Sequence, residues 1–347
     1  MKKSKMILCV MLVLLVAGGL FAAPDKQTGG GGSFDPSKVK VAYASGILNH
    51  PTIRLFALGA MKAAQDLGYT QAKIIGTESD DSSEALAAIQ AFVAEGGKGV
   101  ITPWENNSAD AVFAAAARQG VIIATPHFNH AGPDGKWPEG IKFGMGCDPT
   151  KYGAEAAEIM AKQLSGKSGS VAITQNNRNI TENAASDSFI RAWNGPLQSK
   201  YNIKGIKLLP IQLEGGVLDQ ATAVNLAIIQ SNRDIIGAYG TTGNSPVSWG
   251  DAAQKAGRQP GEICIIGMDA TEGNLDYLEQ GKVFAIVAQP LYEEHYMAME
   301  YLDKVFRGQT VPEWTHIDAP IVTRDGAGKN GPAYHRTLAE EVKRFFK

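Results

Sequence analysis

Residues 263–290 read ICIIGMDATEGNLDYLEQGKVFAIVAQP. Two short apolar runs, Cys264 to Asp269 and Phe284 to Gln289, flank a segment of helical period from Thr271 to Gln280. A buried strand, a helix and a second buried strand make a parallel pair, because only a crossover connection lets neighbouring strands run the same way. The unit recurs through the preceding sequence. Toward the N-terminus the apolar runs are Val39 to Ser45, Ala72 to Gly76, Gly99 to Thr102 and Val121 to Ala124, then Ser170 to Gln175, Ile206 to Gln212 and Ile235 to Gly240. Helical segments fall between them, at Thr52 to Leu67, from Asp81 or Ser82 to Gly96, from Ser108, at Thr150 to Leu164, Asn183 to Lys200, Asp219 to Ser231 and Ser245 to Gly257. This alternation predicts an α/β protein built on parallel sheets.

The series breaks once. Thr125 to Gly140 is polar and rich in Pro and Gly, and Ile141 to Met145 followed by Asp148-Pro149 reads as the start of a second series. Two doubly wound lobes are therefore expected, consistent with 347 residues being too many for one core.

Composition narrows the function. The chain is 44% hydrophobic and 20% charged, and Lys+Arg at 33 against Asp+Glu at 35 leave no positive excess to neutralise phosphates. No nucleic-acid partner is expected. At the N-terminus Lys2, Lys3 and Lys5 precede an apolar run from Met6 to Leu20 and the small residues Ala22-Ala23. That is the pattern of an export signal over residues 1–23. Its removal takes away three lysines and no acid, moving the formal charge from -2 to -5. The same run also fits a retained membrane anchor, or lipidation at Cys9. Residues 24–37, with QTGGGGSFDPS at 27–37, read as a flexible linker. Both alternatives and cleavage place the folded part outside the cytoplasm. Beyond Cys9, Cys147 and Cys264 read as buried thiols ahead of a bridge.

Catalytic motifs are not met. Ser165-Gly166-Lys167-Ser168 lacks the earlier Gly of a phosphate loop and follows a helix instead of a strand. Gly144-Met145-Gly146 has Pro149 where a dinucleotide fingerprint needs Gly. His127 and His130 lack a paired Cys or acidic cluster and read as a polar loop before a metal site. No nucleophile, base and oxyanion hole assemble, so no enzyme, no cofactor and no metal are expected.

In parallel sheets small ligands collect beyond the carboxyl ends of the strands, so polar residues just after strands are the candidates. Asp269 is the foremost: an ionised carboxylate accepts from two neighbouring hydroxyls, although it also stands where a cap for the next helix would be. Gln289 both donates and accepts, and Asn244 lies in a Gly-rich turn that it equally suits as turn residue. In the first lobe the matching positions hold Asn49 and His50, His127, and Trp104, whose flat face suits a pyranose or seals the lobe edge.

The succession from Val39 to Thr323 resembles the ribose-type (type I, cluster B) periplasmic sugar-binding proteins of ABC import systems. The segments that carry the likeness are ASGILNHP (44–51), DPTKYGAEAAEIMAKQL (148–164), ICIIGMDA (263–270) and VFAIVAQP (283–290). The resemblance implies two lobes joined by a three-crossing hinge near Cys147-Asp148, Gln289-Pro290 and Ile317-Asp318. Residues 38–147 with 290–317 would form the N-terminal lobe, and 148–289 with 318–347 the C-terminal lobe. It implies that Asp269, Gln289 and Asn244 touch ligand hydroxyls, with Asn49 and His50 facing them. The family's Asp-Arg pair after strand four is Pro126-His127 here, and Asn179 and Asn183 stand nearest to an Arg that is missing. The implied role is capture of a monosaccharide or polyol for an inner-membrane ABC permease and its ATPase. The rival is sensing, through a chemoreceptor or as an autoinducer receptor.

Overall fold

The computed structural model describes residues 34–347 apart from 80, 106, 133 and 177–179. The expected export signal, most of the expected linker and Asn179 lie outside the described residues. The linker's last residues are ordered by local chemistry: Asp35 accepts from Ser37 N at 3.1 Å and caps a single turn over Pro36–Lys38.

The first series runs β1 (Lys40–Ser45), α1 (Pro51–Asp66), β2 (Gln71–Gly76), α2 (Ser82–Ala94), β3 (Gly99–Ile101), α3 (Asp110–Arg118), β4 (Ile122–Ala124) and β5 (Ile141–Gly146). The second comprises α4 (Pro149–Gln163), β6 (Gly169–Gln175), α5 (Ile180–Asn194), α6 (Leu197–Lys200), β7 (Ile206–Leu208), β8 (Gln212–Leu213), α7 (Leu218–Ser231), β9 (Ile235–Gly240), α8 (Ser245–Lys255), β10 (Cys264–Met268), α9 (Glu272–Glu279) and β11 (Ala285–Val287). Then follow α10 (Leu291–Phe306), β12 (Trp314–His316), β13 (Ile321–Thr323) and α11 (Pro332–Phe345). The helix starts are chemically marked. Asp81 and Asp148 each accept the N–H two residues on, at 2.8 Å, and Pro51, Pro149 and Pro332 occupy first helical positions where no N–H is needed.

One sheet has the order β12-β5-β4-β3-β1-β2, all parallel, and the other β13-β11-β10-β9-β6-β7 with β8 beside β6. β13 is antiparallel to β11. The reading of Ile141 as the start of the second series is thus corrected. β5 pairs with β4, Ile123 facing Ile141 and Ala124 facing Phe143, and completes the first sheet. The polar loop before it replaces the usual crossover helix, and a loop can do so because β5 needs only to return to the next free edge. Two further strands and α11 also went unmarked in the apolar pattern, since β12 and β13 are three residues each.

Period-two alternation splits the second lobe's core across its sheet. Cys264, Ile266 and Met268 face Met160, Phe189 and Trp193, while Ile263 and Ile265 face Trp249, Leu275 and Leu278. The first lobe packs Ile89, Phe92 and Phe113 on Val100 and Ile123. Among the described residues the chain passes between the sheets three times: after β5, after β11, and between β12 and β13. α10 returns to the first lobe against α1, and α11 lies against both α1 and α9.

Candidate functional site

Asp269 follows β10 at the carboxyl end of the second sheet, and its backbone is left-handed, φ 65. Only a few non-glycine residues adopt that conformation, Asp and Asn foremost, so it marks a position where the side chain's direction matters. Local bonds hold it there: Asp269 N donates to Val287 O at 2.9 Å, and Asn274 Nδ2 donates to the carbonyls of Asp269, Met268 and Gly243. The capping alternative is not taken, because the N-cap position of α9 is Thr271 and no side chain caps the helix there. Instead Oδ2 accepts from Thr52 Oγ1 at 3.1 Å, a bond from the second lobe to the first turn of α1. Oδ1 is buried without a protein partner. Burial pushes the carboxyl up to about 6, against the pull of His127 and the Thr52 hydrogen bond.

His127 follows β4, also with a positive φ, 81. Its Nδ1 meets Glu294 Oε1, on the first turn of α10, at 2.8 Å. Burial alone would strip the imidazole of its proton; the charge and hydrogen bond of Glu294, with Asp269 and Glu105, outweigh it and hold the pKa above 6.5. Burial likewise pushes Glu294 up to about 7, against the pull of His127. Each partner holds protons more tightly than in water, so near neutral pH the pair keeps one proton beyond the N–H that a neutral imidazole already carries. Phe56 of α1 covers the His127 ring at 5.0 Å and stacks on His295 at 4.1 Å.

Gln289, half-buried where the chain leaves β11, donates to Cys147 Sγ at 3.6 Å on the neighbouring link. Cys147 and Cys264 are both free and buried, and burial pushes each thiol up to about 12. Asn244 binds Gly216 O at 2.8 Å and ties the loop after β9 to the loop after β8. That loop is anchored from below by buried Glu214, which accepts from Thr242 and Ser245 with one oxygen and from Asn225 with the other.

The structure thus brings Asp269 and His127 within electrostatic reach of each other and places Cys147, Gln289's partner, within the field of Asp269. Asn183 is half-buried beside Glu182 at the start of α5. The other expected residues make these local contacts. His50 Nδ1 accepts from Thr52 N and caps α1, and Asn49 is exposed in the turn before it. Trp104 belongs to the first lobe's core, 7% exposed, with its edge on Phe113 and its N–H on Ser108. His130 turns to Trp137, away from the Glu294 pairing of His127. Sequence reasoning missed Thr52, Glu294 and Glu214. Glu294 carried a legible signal: Leu291, Ala298 and Leu302 set the buried stripe of α10, and Glu294 and His295 fall on that stripe.

Among the described residues no group of three or more His, Cys, Asp or Glu is set to hold a metal, and no helix is long and apolar enough to cross a membrane. A cavity of about 430 Å³ against Leu164, Ile236, Cys264 and Phe284 opens at the amino ends of β9 and β10, the opposite end from Asp269. It gathers no comparable set of buried polar atoms.

Two mostly parallel sheets, three links and polar groups at the strands' carboxyl ends define the class of two-lobed α/β binding folds. The model of the periplasmic binding protein domain matches residues 41–310, and the chain belongs to that family. Solved structures share the fold at low identity. A glucose-galactose binding protein from Geobacillus stearothermophilus aligns at TM-score 0.68 and 21% identity over 82% of this chain and 97% of its own. An ABC transporter solute-binding protein from Burkholderia graminis, in complex with D-arabinose, aligns at 0.70 and 21% over 84% and 97%. A periplasmic solute-binding protein from Actinobacillus succinogenes with bound D-allose aligns at 0.71 and 18% over 86% and 100%.

Proposed function

We infer that the protein is an extracytoplasmic solute-binding protein that captures a monosaccharide or related polyol between its lobes and delivers it to an ABC permease. The observation that carries this reading is Asp269. One oxygen bonds Thr52 of the opposite lobe and the other is buried and unpartnered, so the carboxylate stands ready for a guest's hydroxyl where the two lobes meet. A guest that touches both walls binds the shut form better than the open one, and by that difference it shifts the population. Neutral hydroxyls suit the site because each both donates and accepts. The solute-binding proteins holding D-arabinose and D-allose support the choice of monosaccharide.

Thermal unfolding of the purified protein against D-allose, D-arabinose, glucose, galactose, tagatose and a set of polyols tests the reading. At a hundredfold excess over Kd a true ligand adds about 2.7 kcal/mol, which reads as a rise of several degrees. No rise with any of them defeats the sugar class. Uptake of the hit sugar in a strain lacking the protein tests delivery; unchanged uptake defeats that part.

A further inference from the structure

His127 and Glu294 lie far apart in sequence and meet at 2.8 Å, and one property of the pair does not depend on which partner holds the proton. Nδ1 faces the carboxylate, and the ring keeps only a tenth of its side-chain surface exposed. When the pair carries two hydrogens, one lies between Nδ1 and Oε1 and the other sits on Nε2. That is true of imidazolium with carboxylate and equally of imidazole with carboxylic acid. When the pair carries one hydrogen, it stays between Nδ1 and Oε1, where two lone pairs would otherwise oppose each other. Nε2 then presents a lone pair. Nε2 is a donor in the first state and an acceptor in the second.

The surroundings favour the first state. Glu294 acts from α10, Asp269 from the end of β10 and Glu105 from the loop after β3, and all three hold the proton against burial. His295, the next residue on α10, is kept neutral by burial and by His127 and adds no opposing charge. Tyr43 on β1 and Cys147 after β5 feel the Glu294 charge, and each stays protonated, its pKa raised chiefly by burial. Phe56 closes the ring face from α1 with no charge at all.

We propose that Glu294 is a positioning residue: by keeping a proton on the pair it fixes His127 Nε2 as a hydrogen-bond donor toward the guest. This rests on the reading that the guest lies between the lobes. With Asp269 accepting on the other wall, the site selects a guest that accepts beside His127 and donates beside Asp269. A guest with an ammonium group at the His127 position is refused.

Imidazole nitrogen NMR of the ligand-free protein between pH 5 and 9 decides it, with the His127 signals assigned by their loss in His127→Gln. Nε2 is expected to be protonated at pH 7, and in Glu294→Gln the His127 titration moves down by about one pH unit or more. A bare Nε2 at pH 7 in the wild type overturns the proposal, and this holds whether or not the variant folds. So does an unmoved titration in a folded Glu294→Gln. For a sugar that binds, wild-type affinity falls as pH rises through the pair's titration, and the fall begins at lower pH in Glu294→Gln. A pH profile identical in both removes Glu294 from recognition and leaves the sugar reading intact. If no sugar binds, the sugar reading fails, while the NMR result still decides the state of the pair.

Discussion

At Asp269 the backbone and the side chain serve the same end. Asn tolerates the left-handed conformation as Asp does, so Asp269→Asn is expected to keep the fold while losing a charge-assisted acceptor. Affinity for the bound guest should drop by about 10- to 100-fold, the equivalent of roughly 1.5–3 kcal/mol, measured by calorimetric titration. The same variant reports on pH. The folded protein binds the Asp269 proton more tightly than the unfolded chain, whose carboxyl titrates near 3.8. The group's contribution to stability is therefore fully present below 3.8 and lost as pH rises through about 6. Relative to wild type, Asp269→Asn should gain on the order of 2–3 kcal/mol between pH 4 and pH 8, read from urea unfolding. A constant difference across that window contradicts the burial argument.

Between helices, close approach is set by glycine. A Cβ on Gly153 of α4 would stand 2.3 Å from Ala185 O of α5, and one on Gly59 of α1 would stand 2.2 Å from Tyr292 O of α10. Each lobe thus has one helix pair whose backbones nearly touch. Gly153→Ala is expected to lower stability by about 1–3 kcal/mol. Gly273→Ala in α9, where the nearest atom is 3.6 Å away, should be neutral or stabilising by up to about 1 kcal/mol. Urea midpoints of the two variants check the contrast. Elements like these were largely legible in sequence because their signals are local: Pro51 and Asp148 mark helix starts wherever the chain goes. The strand pattern alone counted β5 with the second series, because a strand's partner is chosen by which sheet edge is free, and that information is not local. The same limit divides the site. Asp269 could be found from its place after a strand. Thr52 and Glu294 acquire their roles only when α1 and α10 pack together, bringing their first turns toward the meeting of the lobes.

Across the whole molecule the lobes touch where Thr52, Gly243 and Asp269 converge. A Cβ on Gly243 would stand 2.6 Å from Asp269 Oδ2 and 3.2 Å from Thr52 Oγ1. Gly243 does not need a left-handed backbone, so alanine there perturbs the contact more than the loop. Gly243→Ala is expected to favour the open arrangement, seen as a larger radius of gyration in solution scattering without ligand and as a weaker response to saturating sugar. Equal radii would mean that the side chains rearrange around the methyl and that closure does not depend on this contact. α11 adds a second tie: Arg336 reaches Asp276 and Glu279 on α9 while Arg54 on α1 lies over Phe346 just beyond the helix.

The three links between the sheets run through residues 147–148, 288–290 and 317–320, each only a few residues long. Pages stitched at three points along one spine can swing but cannot slide. A guest between the lobes would therefore meet the same two facing surfaces in the same alignment on every visit, and the polar groups set on those surfaces, not a choice of register, would decide which guest is kept.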